Sequence, residues 1–501
     1  MMRSTAWILT TAGAFGLAAC SLAPKYQVPD VKPPPSYKES LGTEAQGTWQ
    51  PALPAEDAER GAWWKVFGEP QLDDLEEQAM AANPSLAAAA ARVQEARGAE
   101  RVTGAARFPD LSAGFGPTRQ QNAPQSLGVP DTGVRPDAQT VWRAQANISY
   151  EVDLFGRVAS SVAAARADSQ EAQALFRSVQ LMLQADVAQT YFRLRELDAE
   201  LVVYDRAIVL RQETLNFVAT RFEAGEVTDL DKAQAEAELA SARSDAMSAR
   251  RSRAATEHAL AVLLGKAPAD FAFAPAPLAT VQLNIPAGLP STLLERRPDI
   301  AAAERAMAAT NARVGVAKAA YFPSLVLTGT GGYEAKSLGD VFKWSSRTFL
   351  LGPLVGTVAT LPLFDGGIRK GNLEQARARY EESVAQYRGQ VLVGFREVED
   401  SLSALRILRD QTAVQGEAVS ASTRAFGLSK AQYEDGSVAY LNILDAERVV
   451  LAARLNEVRL RGEQAGATVD LIRALGGGWA HGAVPDTTTP LAMDNANLPP
   501  R

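Results

Sequence analysis

The segment from Val141 to Phe222 changes its hydrophobic period once, and that change restricts the folds open to the chain. Trp142, Ala144, Ala146, Ile148, Tyr150, Val152 and Leu154 alternate with Arg143, Gln145, Asn147, Ser149, Glu151 and Asp153. A period of two puts the first set on one face of a strand and the second set on the other. A soluble sheet buries its apolar face against a core, whereas a membrane barrel turns it to lipid and keeps the polar face for the lumen. The strand is long for a globular sheet and long enough to cross an outer membrane at a tilt. Beyond Gly156 the period becomes three and a half. Leu194, Leu201, Ile208, Leu215 and Phe222 recur every seven residues, and Leu197, Tyr204 and Val218 form a second seam between them. One continuous piece of chain thus joins a membrane-compatible strand to a very long coiled-coil helix.

With 501 residues, 47% hydrophobic and 22% charged, the chain has the material for a large folded body. Its net charge of -7 argues against nucleic acid as a partner. Arg3 and the apolar run through Ala19 read as a secretory signal peptide, residues 1–19. The run ends Leu17-Ala18-Ala19-Cys20, which resembles a bacterial lipoprotein box, cut before the Cys and lipidated on its thiol. Cys20 is the only cysteine, so no disulfide within the chain can use it. An ordinary cleavage site with an incidental Cys is the alternative. Ser21 follows, not the Asp that tends to retain enteric lipoproteins in the inner membrane. Several buried acyl chains would anchor the mature N-terminus firmly.

Residues 20–68 are rich in Pro, Ser and Gln and read as an extended tether. A helical pattern runs from Gln71 to Arg107, interrupted at Asn83-Pro84, and a short alternating strand follows from Phe108 to Thr118. Residues 120–138 read as an exposed loop before the long strand and helix. Gly225 breaks that helix, and another runs from about Leu230 to Leu264. The order then repeats. Phe108-Pro109-Asp110-Leu111 returns as Phe322-Pro323-Ser324-Leu325, and Phe222-Glu223-Ala224-Gly225 returns as Tyr433-Glu434-Asp435-Gly436. The spacing of roughly 210 residues is too long for a solenoid and indicates a duplicated strand–strand–helix–helix unit. The expected domains are a first repeat at 69–265, a Pro/Ala linker at 266–290, a second repeat at 291–477 and a tail at 478–501. Thr348 to Phe364 carries no charge, but Gly352, Pro353, Gly356 and Pro362 would each damage a helix interior. Its place in the repeat makes it a strand.

Each copy supplies two strands, so the chain holds four, and four cannot close on themselves. Lipid-exposed sheet edges are not tolerated, so several chains must share one barrel. Two chains give eight strands, an interior filled by side chains; three give twelve and leave a passage. The helix from Arg157 to Arg221, about 65 residues, spans roughly 95 Å. Its charges are spread along it, so it should project out of the bilayer as part of a helical tube continuous with the barrel.

With these features the chain resembles the outer membrane factor family, the TolC-like channels, in the lipoprotein branch serving resistance–nodulation–division efflux pumps. The resemblance covers Glu69 to Gly478. It rests on Leu293-Leu294-Glu295-Arg296-Arg297-Pro298-Asp299-Ile300, on Val314-Gly315-Val316-Ala317 with Tyr321-Phe322-Pro323-Ser324-Leu325, and on Pro362-Leu363-Phe364-Asp365-Gly366-Gly367. It implies a mainly α fold with membrane β structure: a homotrimeric twelve-stranded β-barrel continuous with a long periplasmic coiled-coil α-barrel. It also implies adaptor-contacting helix tips, here Phe222, Gly225, Tyr433 and Gly436. The family's periplasmic gate maps to Asp231, Tyr433, Asn442 and Asp445, with Tyr433 pairing Asp231 and Asp445 forming a ring of carboxylates. Asn442 stands where the best-known member has Asp, and Val438 where it has Arg.

Two His, 258 and 481, and one Cys leave no metal-ligand spacing and no nucleophile–His set, and no phosphate-cradling loop is evident. The expectation is no enzyme and no cofactor beyond the covalent lipid on Cys20. The function expected is a passive outer membrane exit channel. It would be served by a periplasmic adaptor (membrane fusion) protein and an inner membrane resistance–nodulation–division pump, in a Gram-negative envelope. A one-step protein secretion duct and a non-transporting coiled-coil envelope lipoprotein are the alternatives.

Overall fold

A computed structural model of the chain describes residues 24–29, 37–39, 62–121, 137–278, 296–351 and 359–477. The signal peptide, Cys20, the 478–501 tail and most of the tether lie outside the described residues. After a 3-10 turn at Trp63–Phe67 come two helices, α1 (Pro70–Ala82) and α2 (Pro84–Ala105), and then two strands, β1 (Asp110–Gln120) and β2 (Gln139–Val152). Two long helices follow, α3 (Arg157–Glu223) and α4 (Asp229–Leu263). The order continues as α5 (Pro298–Ala319), β3 (Ser324–Ala335), β4 (Arg347–Leu351), β5 (Ala359–Thr360), α6 (Ile368–Glu434) and α7 (Tyr440–Ala474). Helices α3 and α6 have 67 residues each and α4 and α7 have 35 each, so element order and length recur in the two halves. No helix among the described residues is long and apolar enough to cross a membrane.

The chain divides into two compact units, each assembled from discontinuous segments. The first holds the sheet, α2, α5 and the sheet-proximal parts of α3 and α6. Its strands run antiparallel in the order β1-β2-β3-β4, and β5 pairs the other end of β3. The register carries the alternation of β2 across its neighbours. Leu111 faces Ile148, and Phe115 faces Ala144, which faces Tyr333. On the opposite face Arg143 faces Glu334 in a 3.1 Å ion pair, and Thr330 donates to Asn147 at 2.9 Å. The apolar face is left bare, with Leu111, Phe115, Ile148, Leu327 and Phe349 all exposed. Phe115 stacks on Trp142 at 5.8 Å and on Phe342 at 6.4 Å. Gly332 is required where β3 crosses β2, because a Cβ there would lie 2.1 Å from the Ala144 carbonyl oxygen. Both described ends of the uncharged segment expected as one strand, β4 and β5, pair β3, and Pro362 to Phe364 falls beyond β5; residues 352–358 lie outside the described set. Further along α3 and α5, Ala174, Ala301 and Ala302 pack in one cluster, small side chains that let helices approach closely. Arg313 and Asp168 pair at 2.5 Å.

The second unit contains α1, α4, α7 and the rest of α3 and α6. Of the two seams expected on α3, Leu197, Tyr204 and Val218 are buried, whereas in the other Leu194 is buried and Leu201, Ile208, Leu215 and Phe222 are half-buried. The start of the Pro/Ala linker is pinned by buried charge. Arg195 donates to Asp198 at 2.8 Å and to the Ala274 carbonyl at 3.0 Å, and its guanidinium sits 4.3 Å above the Phe273 ring. Arg253 donates to Asp198 and to the Phe273 carbonyl, both at 2.6 Å. Asn83, which interrupts the first helical pattern, donates its side chain to the Leu263 carbonyl at 2.8 Å.

Leu72, Leu75 and Ala79 bury one face of α1, and Glu76 lies on that same face with no exposed surface. Neither carboxyl oxygen has a hydrogen-bond partner among the described residues. Burial, and then the charge of Asp73, pushes the Glu76 carboxyl up to about 9. In the unfolded chain it ionises near the ordinary carboxylate value, so the folded chain holds an extra proton between the two and loses stability as pH rises across that window. Glu76→Gln keeps the shape without the charge. Thermal unfolding between pH 5 and pH 9 should show the midpoint falling less steeply for Glu76→Gln than for the parent chain.

Candidate functional site at the helix tips

Helices α3 and α4 meet at one turn, and α6 and α7 meet at another, with the same backbone construction. Gly225 and Gly436 both adopt φ 74°, a left-handed conformation open to Gly at no steric cost. The Gly225 amide donates to the Phe222 carbonyl and the Gly436 amide to the Tyr433 carbonyl, each at 2.9 Å. The following amides reach back one residue further, Glu226 to Arg221 at 2.9 Å and Ser437 to Gln432 at 2.8 Å. These bonds satisfy carbonyls that the helix ends would leave without partners.

The helices that leave the turns begin differently. Thr228 caps α4 in a full capping box: its backbone amide donates to the Asp231 carboxylate at 2.9 Å and its hydroxyl oxygen accepts the Asp231 amide at 3.4 Å, while the hydroxyl also donates to that carboxylate at 2.7 Å. The Asp231 carboxylate also suits the positive end of the helix dipole. Ala439 stands at the start of α7 and supplies no side-chain cap. Asn442 occupies the place that Asp231 holds in α4, and its side chain is exposed. Asp445, one turn further, is also exposed and lies 3.6 Å from Arg448. Ile443 and Leu444 turn inward, into a cluster with Val218, Ala235, Tyr433 and Tyr440.

The Tyr433 ring is buried beside Phe217 and Tyr440, and the Arg221 guanidinium sits 5.2 Å above it. Its hydroxyl is buried and makes no hydrogen bond among the described residues. Burial raises the Tyr433 phenol above its ordinary value, the Arg221 charge opposes this and the Asp231 charge adds to it. In this structure, therefore, the Tyr433–Asp231 bond implied by the resemblance is not formed within the chain, and one Asp231 oxygen is held instead by Thr228.

One residue of this region escaped the seam read from sequence. Arg211 follows Tyr204 by seven residues and precedes Val218 by seven, so it occupies a core position of the buried seam. The gap in the apolar pattern at that position was the available signal. Arg211 donates to Glu447 of α7 at 3.3 Å, and pairs with the Glu238 carboxylate of α4 at 3.0 Å and its carbonyl at 2.8 Å. Arg448 donates to the same Glu238 carboxylate at 3.0 Å. Burial raises the Glu447 carboxyl, opposed by the charge and hydrogen bond of Arg211. The cluster ties three helices together at one level above the tips, and through Arg448 it extends to Asp445.

A sequence profile described as "Outer membrane efflux protein" matches residues 75–266 and 289–477. The chain belongs to the outer membrane efflux protein family. Among curated relatives, the toluene efflux pump outer membrane protein TtgF of Pseudomonas putida is 32% identical over 477 residues, covering 94% of this chain and 96% of TtgF. The cation efflux system protein CusC of Escherichia coli O6:H1 is 31% identical over 471 residues, covering 93% and 97%. Among solved structures, the open state of the Neisseria gonorrhoeae MtrE outer membrane channel matches with a TM-score of 0.78 at 30% identity, covering 92% of this chain and 98% of that one. The family places the chain in the outer membrane of a Gram-negative envelope, as an efflux channel.

Replacing Arg211 by Met leaves the Glu238 and Glu447 carboxylates with no buried cation, at an expected cost of about 3–5 kcal/mol. Chemical denaturation should register that loss, and adding Glu447→Leu and Glu238→Gln to the same chain should recover most of it. Thr228→Ala removes one cap and should cost about 1 kcal/mol, read in the same assay.

Proposed function

We propose that three copies of this chain close one twelve-stranded barrel, continuous with a periplasmic α-barrel, which conducts substrates outward from an inner membrane pump and a periplasmic adaptor. The observation that carries this reading is the sheet. Its bare apolar face suits lipid, and the outer edges of β1 and β4 have no strand partner among the described residues. In hydrocarbon such edges must pair with further copies. The matching element lengths in residues 69–265 and 291–477 support an internal duplication, which sets two helical hairpins per copy around the tube.

The signal peptide, residues 1–19, is removed before Cys20, whose lipid anchors the mature N-terminus to the outer membrane. Phe222, Gly225, Tyr433 and Gly436 form the tips that meet the adaptor. Asn442 and Asp445 share the exposed face of α7 and line the constriction, and Asp445 forms the acidic ring. Asp231 and Tyr433 belong to the closed state, in which the free Tyr433 hydroxyl donates to the second Asp231 oxygen. Relatives of nearly equal identity carry toluene in one printed name and cations in another, which supports cargo being chosen by the pump and not by the duct.

Conductance in planar bilayers tests the gate. Asp445→Ala should lower the preference for cations over anions, and Asn442→Asp should raise it. Unchanged selectivity in both variants would take these two residues out of the constriction.

A further inference from the structure

A cleft of about 360 Å³ opens in the first unit where strands turn into helices. Leu154, Phe155, Phe322, Pro323, Val326 and Pro362 supply most of its apolar wall, and Phe155 stacks on Phe322 at 4.9 Å. Leu363 and Phe364, next in sequence to Pro362, are almost fully exposed. Ala319, the last residue of α5, and Ala320 after it also line the cleft.

The N-terminal strap leads toward this cleft. Tyr26 donates its hydroxyl to the Glu304 carbonyl at 3.2 Å and to the Glu304 carboxylate. Asn311 donates to the Pro24 carbonyl at 3.1 Å. Going back from Tyr26 to Pro24, the strap therefore climbs α5 toward its C-terminal end. Glu304, Asn311 and Ala319 are seven and eight residues apart, so they lie on one stripe of the helix. From Asn311 to Ala319 the helix rises about 12 Å. The four residues from Pro24 back to Cys20 reach at most about 13 Å. The strap thus ends within reach of the cleft.

We infer that this cleft seats an acyl chain of the lipid carried on Cys20. The inference rests on the lipidation of Cys20 proposed above. The charges at the cleft favour this occupant over a bilayer phospholipid. Arg157 is taken up by Glu151, with one bond at 2.6 Å and a second to the other carboxylate oxygen. Asp153 adds another negative charge, and accepts the backbone amides of Val158 at 3.0 Å and Ala159 at 2.7 Å. Arg369, beside Pro362, is paired with Asp365 at 2.6 Å. The two arginines that flank the cleft, Arg157 and Arg369, are thus both held by carboxylates of this chain, whereas the acylated glyceryl thioether of a lipoprotein carries no charge that would need them.

The test uses the full chain in its native outer membrane, from cells fed a diazirine-bearing palmitate that enters both lipoproteins and phospholipids. After irradiation and digestion, mass spectrometry should find the Cys20 peptide joined through its acyl chain to peptides carrying Leu154-Phe155 or Phe322 to Val326. Ala320→Trp and Val326→Trp each fill the cleft, and each should abolish that cross-link while the protein still reaches the membrane. Phospholipid adducts on the cleft peptides in place of the Cys20 cross-link would make this a bilayer-lipid site and overturn the inference, as would Cys20 cross-links confined to other segments. A mature N-terminal peptide whose mass shows no lipid would overturn the lipidation reading itself.

Discussion

A backbone amide or carbonyl that leaves water must find a partner, and in hydrocarbon that demand has no exceptions. The sheet of this chain meets it only in part. Each strand is laddered to its neighbours, but the outer edges at β1 and β4 end without one among the described residues, and the apolar face is bare. A soluble protein would cover both. Under the proposed assembly the same two features make sense together: lipid would cover the face and further copies of the chain would complete the edges. The register keeps the faces distinct: a slip of one residue would move Arg143 and Glu334 to the apolar face and Phe115 and Trp142 to the polar one.

The helical part answers to a different balance. An apolar heptad seam supplies adhesion without much specificity, since neighbouring layers resemble one another. Arg211 breaks that equivalence. Placed between Tyr204 and Val218, it can be buried only at the level where Glu238 and Glu447 stand opposite, and any shift along the seam would strand three charges out of water. Such a layer adds little net stability, because desolvation offsets most of the Coulomb attraction, but it fixes register. It also joins α4 to α7 through Arg448, so the two hairpins move as one near the tips unless this cluster opens.

The tips themselves differ in how firmly their helices begin. Thr228 and Asp231 hold the first turn of α4 with reciprocal bonds, whereas Ala439 and Asn442 offer α7 no equivalent. A cap contributes about 1 kcal/mol, comparable to the thermal energy that separates open from frayed at a helix end. The second hairpin is thus the more easily altered of the two. Its exposed Asn442 and Asp445 lie on that less restrained turn.

Much of this was written in one dimension. Alternation from Trp142 to Leu154 and heptads from Leu194 to Phe222 determined strand and helix, because side-chain periods of two and three and a half need no knowledge of partners. Gly225 and Gly436 determined where the helices reverse, since a left-handed turn residue is a local demand. The register of the fourth strand path on β3 was not legible, because which residues of β3 its described ends meet is set by the pairing and not by the segment itself. Nor was the state of Tyr433 and Asp231: whether a hydroxyl finds a carboxylate depends on which competing donor is nearer, and Thr228 lies three residues away. Arg211 shows the division best. The apolar pattern passes over its position, seven residues from Tyr204 and from Val218, and only the tertiary structure decided that it is buried and satisfied, because its partners arrive from helices 27 and 236 positions along the chain.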